Sequence, residues 1–352
     1  MRDVSGAGEV RPGMELDLAS LDAYLARSLP GYRGPLAVQQ FKGGQSNPTY
    51  LLSTPGHRYV LRRKPPGALL ASAHAVEREY AVLAALGAHS NVPVPTVHAL
   101  CTDPAIVGTV FYVMDYVPGR IIWDPALLEV PQPARRAHAL ALVGTLADLH
   151  RVDPAAAGLA EFGKPAAYLE RQIARWTKQY LSDAEAGRVE SLDRLIEWLP
   201  AHLPKREQPA ALVHGDYRVD NVVFDATEPR IRAVLDWELA TLGDPLADFA
   251  YHLMLYRLPT ISIPGLAGRD MVALGLPTES EYVAYYCERA GRGPIADLEF
   301  YLAFAMFRLA GIFHGICGRV ARGNAVSSKA RDYARHLTMI ADCAWRQAQS
   351  VG

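Results

Sequence analysis

Leu212–Asp225, LVHGDYRVDNVVFD, and its echo Val234–Asp248, VLDWELATLGDPLAD, decide the reading of this chain. Each opens with apolar residues that read as a short buried strand, then turns abruptly polar. Between them they present Asp216, Asn221 and Asp236. An acid, an amide five residues on and a second acid is the order phosphoryl transfer needs, with one group to orient a hydroxyl and two oxygen ligands to hold magnesium. Asp216 stands where strand gives way to loop, behind Gly215, which permits an unusual backbone angle and close approach of a ligand.

The spacing from Asp216 to Asn221 is the D-x-x-x-x-N of a kinase catalytic loop, where the acid aims the acceptor hydroxyl and the neutral amide oxygen suits magnesium. Taken alone the spacing also describes a turn, because Asp and Asn favour turns for their own reasons. Asp236 shifts the balance. It follows the strand-like Ile231, Val234 and Leu235, fifteen positions after Asn221, far enough for one hairpin to return it beside the first acid. Its competing role, capping the next helix, falls better to Asp244, since Gly243-Asp244-Pro245 reads as an N-cap followed by proline at the first helical position. His214 reads as a structural histidine, and Asp248, one turn into an apolar helix, as an acceptor for loop backbone.

Outward from these stretches, the N-terminal side reads as β. LAVQQF, TYLLST and RYVLRR are strands, the last two joined at Pro55-Gly56, and VHALC and TVFYVMDYV are two more. Leu18–Ser28 and Ala71–Leu86 have helical periodicity, and residues 1 to about 17 read as a mobile leader. After Pro118-Gly119 the period changes, with helices expected at Ala134–His150, Tyr168–Asp183 and Ser191–Leu199 and mostly helix beyond Asp244. The expected fold is α+β and bilobal, with a five-stranded β lobe carrying one helix over 1–117 and a larger, mainly helical lobe over 118–352.

At 352 residues, half hydrophobic and 21% charged, the chain is of globular composition, and its net charge of -1 gives no sign of a nucleic-acid or anionic-membrane partner. No secretory signal or uninterrupted apolar run of membrane-span length is evident. Cys101, Cys287, Cys317 and Cys343 are scattered, as expected of thiols in a reducing cytoplasm. The sequence carries no signal for oligomeric state.

HGDYRVDN followed by LDWELATLGDPLADFA, together with FKGGQSNPTYLL, YVLRRKPPG and AHAVEREY, resembles the aminoglycoside phosphotransferase-like kinase superfamily, which shares the bilobal protein-kinase fold. Within it, the chain is similar to the kinase-like domain that precedes the dehydrogenase in certain acyl-CoA dehydrogenase family members. The resemblance implies Asp216 as the catalytic Asp and Asn221 and Asp236 as ligands of Mg2+. It implies Gly43, Gly44, Gln45, Ser46 and Asn47 as the loop over the phosphates of ATP or GTP. By the same comparison Val60 touches the base, while Arg62, standing where kinases place lysine, contacts phosphate and pairs with Glu79. The lesser alternative for Arg62, Arg63 and Lys64 is a solvated edge.

Two departures point away from protein kinases: Gly215 replaces the arginine of H-R-D, and Trp237-Glu238 replaces the Phe-Gly of D-F-G. A small-molecule hydroxyl is therefore the expected acceptor. From Tyr251 to Gly352 there are eleven Arg and Lys against eight Asp and Glu. That balance disfavours a polycationic aminoglycoside and suits a phosphate-bearing hydroxyacyl-CoA near Arg308, Arg319, Arg322 or Lys329, unless these are simply solvated helix positions. An aminoglycoside or amino-alcohol kinase and a non-catalytic nucleotide-binding pseudokinase are the alternatives.

Overall fold

The computed structural model describes residues 6–42, 47–66, 75–205, 208–323 and 330–351. The chain divides into two units, Met1–Arg120 with Arg232–Ala240, and Ile121–Ile231 with Thr241–Gly352.

The first unit is built on an antiparallel sheet of strands β1 (Ala7–Gly8), β2 (Ala37–Phe41), β3 (Thr49–Ser53), β4 (Arg58–Arg63), β5 (Val97–Cys101) and β6 (Phe111–Asp115), in the order β1-β2-β3-β4-β6-β5. Tyr59 and Leu61 of β4 point to one face, where they join Leu21, Leu25 and Leu29 from the region of α1 (Leu18–Ser28). Alternation sends Val60 and Arg62 to the other face. Asp17 caps α1 by accepting from the Ser20 N–H at 3.0 Å. Helix α2 (Val76–His89) buries Val76, Glu79, Val82, Leu83 and Leu86, so its inner stripe carries one charge. A short helix, α3 (Pro104–Val107), joins β5 to β6.

The expected five strands are six, and the leader differs over its described part. Ala7–Gly8 pairs with β2, the Arg11 N–H donates to Gln40 Oε1 at 2.9 Å, and the Met14 carbonyl accepts from Tyr50 and Arg63. Backbone pairing and two buried donors hold a segment whose composition alone suggested mobility.

The second unit contains helices α4 (Gln132–His150), α5 (Tyr168–Ser182) and α6 (Glu190–Ala201), then strands β7 (Ala211–Val213) and β8 (Val222–Phe224). Strand β9 (Ile231–Val234) leads into the segment that groups with the first unit. The chain returns with β10 (Thr241–Gly243), which pairs with β7, and with α7 (Pro245–Leu253) and α8 (Met271–Leu274). Helices α9 (Glu279–Ala290), α10 (Leu298–Ala321), α11 (Ala330–Arg335) and α12 (Leu337–Gln349) complete it.

Helix α10 packs on α5, α6, α7 and α12. It is long and apolar enough by length and composition to cross a membrane, although Arg308 and His314 interrupt its sequence; 83% of its most apolar window is buried in the protein, as in a core helix.

The division expected at 117/118 places all of 118–352 in one lobe, whereas Arg232–Ala240 groups with the first unit. The Val234 N–H donates to the Pro93 carbonyl at 2.8 Å, and Asp236 and Glu238 pair with Arg62.

Candidate active site

In the second unit the chemistry collects on the loop after β7. Gly215 has φ +83°, a backbone region that glycine enters without the Cβ penalty, and this explains why H-G-D stands where H-R-D would. Asp248, on the first turn of α7, accepts from the backbone N–H of His214 at 2.7 Å and of Gly215 at 2.8 Å. His150, at the end of α4, places Nε2 3.2 Å from the same carboxylate. Burial would raise the Asp248 carboxyl, but His150 and the backbone donors outweigh it and hold the group below its ordinary range. His214 is fully buried, and its Nδ1 accepts the Asp216 N–H at 3.2 Å. The expected structural parts of His214 and Asp248 are thus both found.

Asn221 is fixed to the same loop. Its Nδ2 donates to the Asp216 carbonyl at 2.9 Å and to Asp216 Oδ2 at 3.2 Å, which leaves Oδ1 as the oxygen the amide offers. Tyr251 lies close enough to Asp216 that, after burial, Asp216 is the next largest influence raising its phenol. Arg308, buried on α10, donates Nη2 to the Gly215 carbonyl and lies over the Tyr251 ring at 4.5 Å. Arg218 forks onto Asp220.

In the first unit Arg62 is the hub. Its Nε lies 3.0 Å from Glu79 Oε2, and its Nη2 lies 2.6 Å from Asp236 Oδ1 and 3.3 Å from Glu238 Oε2. Asn47 is fully buried and donates to Glu79 Oε1 at 2.9 Å and Glu238 Oε2 at 3.3 Å, while the Tyr112 hydroxyl donates to Glu79 Oε2 at 3.2 Å. Burial raises the Glu79 carboxyl to about 7; Asp236 and Glu238 push the same way, and Arg62 and Tyr112 oppose them. Burial opposes the charge on Arg62, but Glu79 and Asp236 raise its pKa overall. The nearby Glu77 instead pairs with Lys64 at 2.5 Å, and Arg63 donates to the Val107 and Met14 carbonyls, so this strand is not a solvated edge.

Asp236 adopts φ 64° and ψ 60°, a left-handed conformation that costs a non-glycine residue and is retained where surrounding structure enforces it. Its side chain keeps 35% exposure, whereas Glu79 keeps 1%. Val60 is buried on the Arg62 face. Gly43, Gly44, Gln45 and Ser46 lie outside the described residues. Of the cations considered for an acceptor phosphate, Arg308 is committed to Gly215, Arg322 to Asp183 at 2.7 and 3.0 Å, Arg319 is exposed, and Lys329 lies outside the described residues.

The profile of the phosphotransferase enzyme family matches residues 37–284. The chain belongs to this family. Acyl-CoA dehydrogenase family member 10 of Mus musculus is 44% identical over 347 residues, covering 97% of this chain and 32% of that protein. Family member 11 of Gallus gallus is 40% identical, covering 96% and 44%. The chain thus spans between about a third and less than half the length of these curated relatives. A crystal structure from Ralstonia eutropha JMP134, described as a candidate aminoglycoside phosphotransferase, is 44% identical with a TM-score of 0.88 over 95% of this chain and 99% of that one. The fold is therefore the bilobal kinase-like α+β fold of these phosphotransferases.

Asn221, in the second unit, offers a neutral amide oxygen, and Asp236, in the first, a partly exposed carboxylate on a strained backbone; each by its own chemistry is a hard oxygen donor of the kind magnesium prefers. Sequence reasoning missed His150 and Tyr112, which no motif marks, and it offered Arg308 among the cations for an acceptor phosphate, whereas its guanidinium donates to the Gly215 carbonyl.

Proposed function

We propose that the protein is an ATP- and magnesium-dependent kinase of a small-molecule hydroxyl. The observation that carries the reading is the Asp216 loop, in which Asp248, His214, Asn221 and Arg308 fix the peptide on both sides of one acid. Asp216 would accept the hydrogen bond of the acceptor hydroxyl and aim its oxygen at the γ-phosphoryl group. Asn221 and Asp236 would hold magnesium, which when bound neutralises charge on the phosphates. Arg62, kept charged by its carboxylates, would contact phosphate, Glu79 would orient it, and Val60 would meet the base. GTP is the alternative nucleotide.

A hydroxyacyl-CoA is the first acceptor to try, because the relatives at 44% and 40% identity carry acyl-CoA dehydrogenase names. Charge balance beyond Tyr251 supports it less than the sequence suggested, since Arg308 and Arg322 already have partners. The same reading places the protein in the cytoplasm, in keeping with four free thiols. The test is purified protein with Mg·ATP and a panel of hydroxyacyl-CoAs, aminoglycosides and amino alcohols. Phosphorylation of one class is expected; nucleotide binding with no transfer to any would favour a pseudokinase.

A further inference from the structure

We propose that His57, His98 and Asp115, in the first unit, form a binding site for a zinc-class transition-metal dication, separate from the residues assigned to magnesium. The three come from different places in the sheet. His57 follows the Pro55-Gly56 turn ahead of β4, and Asp115 ends β6 directly across from Tyr59. His98 owes its direction to an irregularity. Val97 pairs with Met114 and Ala99 with Val113, so His98 is the extra residue of a β-bulge between them. A bulge re-aims the side chain at its site, and here it turns the imidazole toward Asp115.

The convergence is close. His98 Nε2 lies 2.7 Å from Asp115 Oδ1, and His57 Nε2 lies 2.9 Å from the same oxygen. All three ligand atoms lie within 4.8 Å of one another. Tyr59 sets the ring orientations, with its centroid 4.2 Å from the His57 ring and 5.5 Å, edge to face, from the His98 ring. His57, His98 and Asp115 side chains are 50%, 27% and 30% exposed, so water can complete the coordination. A cavity of about 390 Å³ opens beside His57. The neighbouring cation, Arg58, is stacked on the Tyr116 ring at 4.2 Å.

Two imidazole nitrogens and one carboxylate suit zinc and its neighbours in the transition series, and are a poor set for magnesium or calcium, which prefer oxygen throughout. Bound there, the ion would tie the β3–β4 turn to β5 and β6. Without it the same groups are two hydrogen bonds to one carboxylate.

The experiment is titration of the chelator-stripped full chain with Zn2+ against a fluorescent indicator, repeated with Co2+ followed by its visible absorption. One equivalent is expected to bind. His57→Ala and His98→Ala should each weaken binding at least about tenfold, the loss that even an outer-shell change can produce. Zn2+ should raise the melting temperature of the wild type and not of the histidine variants. Asp236→Asn should bind Zn2+ as the wild type does. The absence of stoichiometric binding, or equal binding by wild type and by folded His57→Ala and His98→Ala, would overturn the proposal.

Discussion

Glu79 shows what one residue contributes. It is an acid on the buried stripe of α2, and its carboxyl is raised to about 7 from an ordinary 4.5. Between those values the folded protein binds the proton more tightly than the unfolded chain, so stability from this group is fully present below 4.5 and is lost as pH rises through 7. Glu79→Gln should flatten that part of the stability profile, measured by urea unfolding across pH; an unchanged slope would refute the assignment. Arg62→Ala leaves Glu79, Asp236 and Glu238 without their shared cation. Removing one partner of a buried pair should cost about 3 kcal/mol in urea unfolding. Arg62 and Glu79 were legible because the resemblance put a basic strand and an acidic helix position in kinase order. Tyr112 was not, because an aromatic residue in a strand looks the same whether or not its hydroxyl meets a carboxylate.

Helix α7 links its own N-cap to the Asp216 loop. Asp244 caps it by accepting the Leu246 N–H at 2.8 Å, and it also accepts the Tyr301 hydroxyl at 2.7 Å. Asp244→Ala should cost about 1–2 kcal/mol in thermal or urea unfolding, the scale of a lost N-cap. One turn later the same helix delivers Asp248 to the His214 and Gly215 amides, so the sequence pattern G-D-P-L-A-D carries both the cap and the loop support. Helix α10 was legible only as part of the mostly helical stretch beyond Asp244. Arg308 looked like a phosphate ligand because its position on the helix does not say where a long side chain ends. Its donation to the Gly215 carbonyl makes it a positioning residue. Arg308→Leu should lower kcat while leaving the KM for nucleotide near the wild-type value, as steady-state kinetics would show.

At the scale of the whole molecule, the switch from period two to helical period marked the end of the first run of strands. The return of Arg232–Ala240 to the first unit was not marked, because it depends on contacts with Pro93 and Arg62 far away in sequence. On the proposed assignment of Asn221 and Asp236 to magnesium, Mg·ATP should raise the melting temperature more than either component alone, since a ligand of the native state stabilises it by mass action. Asp236→Asn should remove the magnesium-dependent part of that shift. The most direct measurement is transfer of the γ-phosphate of Mg·ATP to a hydroxyl acceptor by wild type and by Asp216→Asn, with nucleotide affinity measured in parallel. The expected result is a rate at least about a hundredfold lower in the variant at unchanged nucleotide affinity, the scale of a lost general base. Transfer at the wild-type rate by Asp216→Asn would contradict the account.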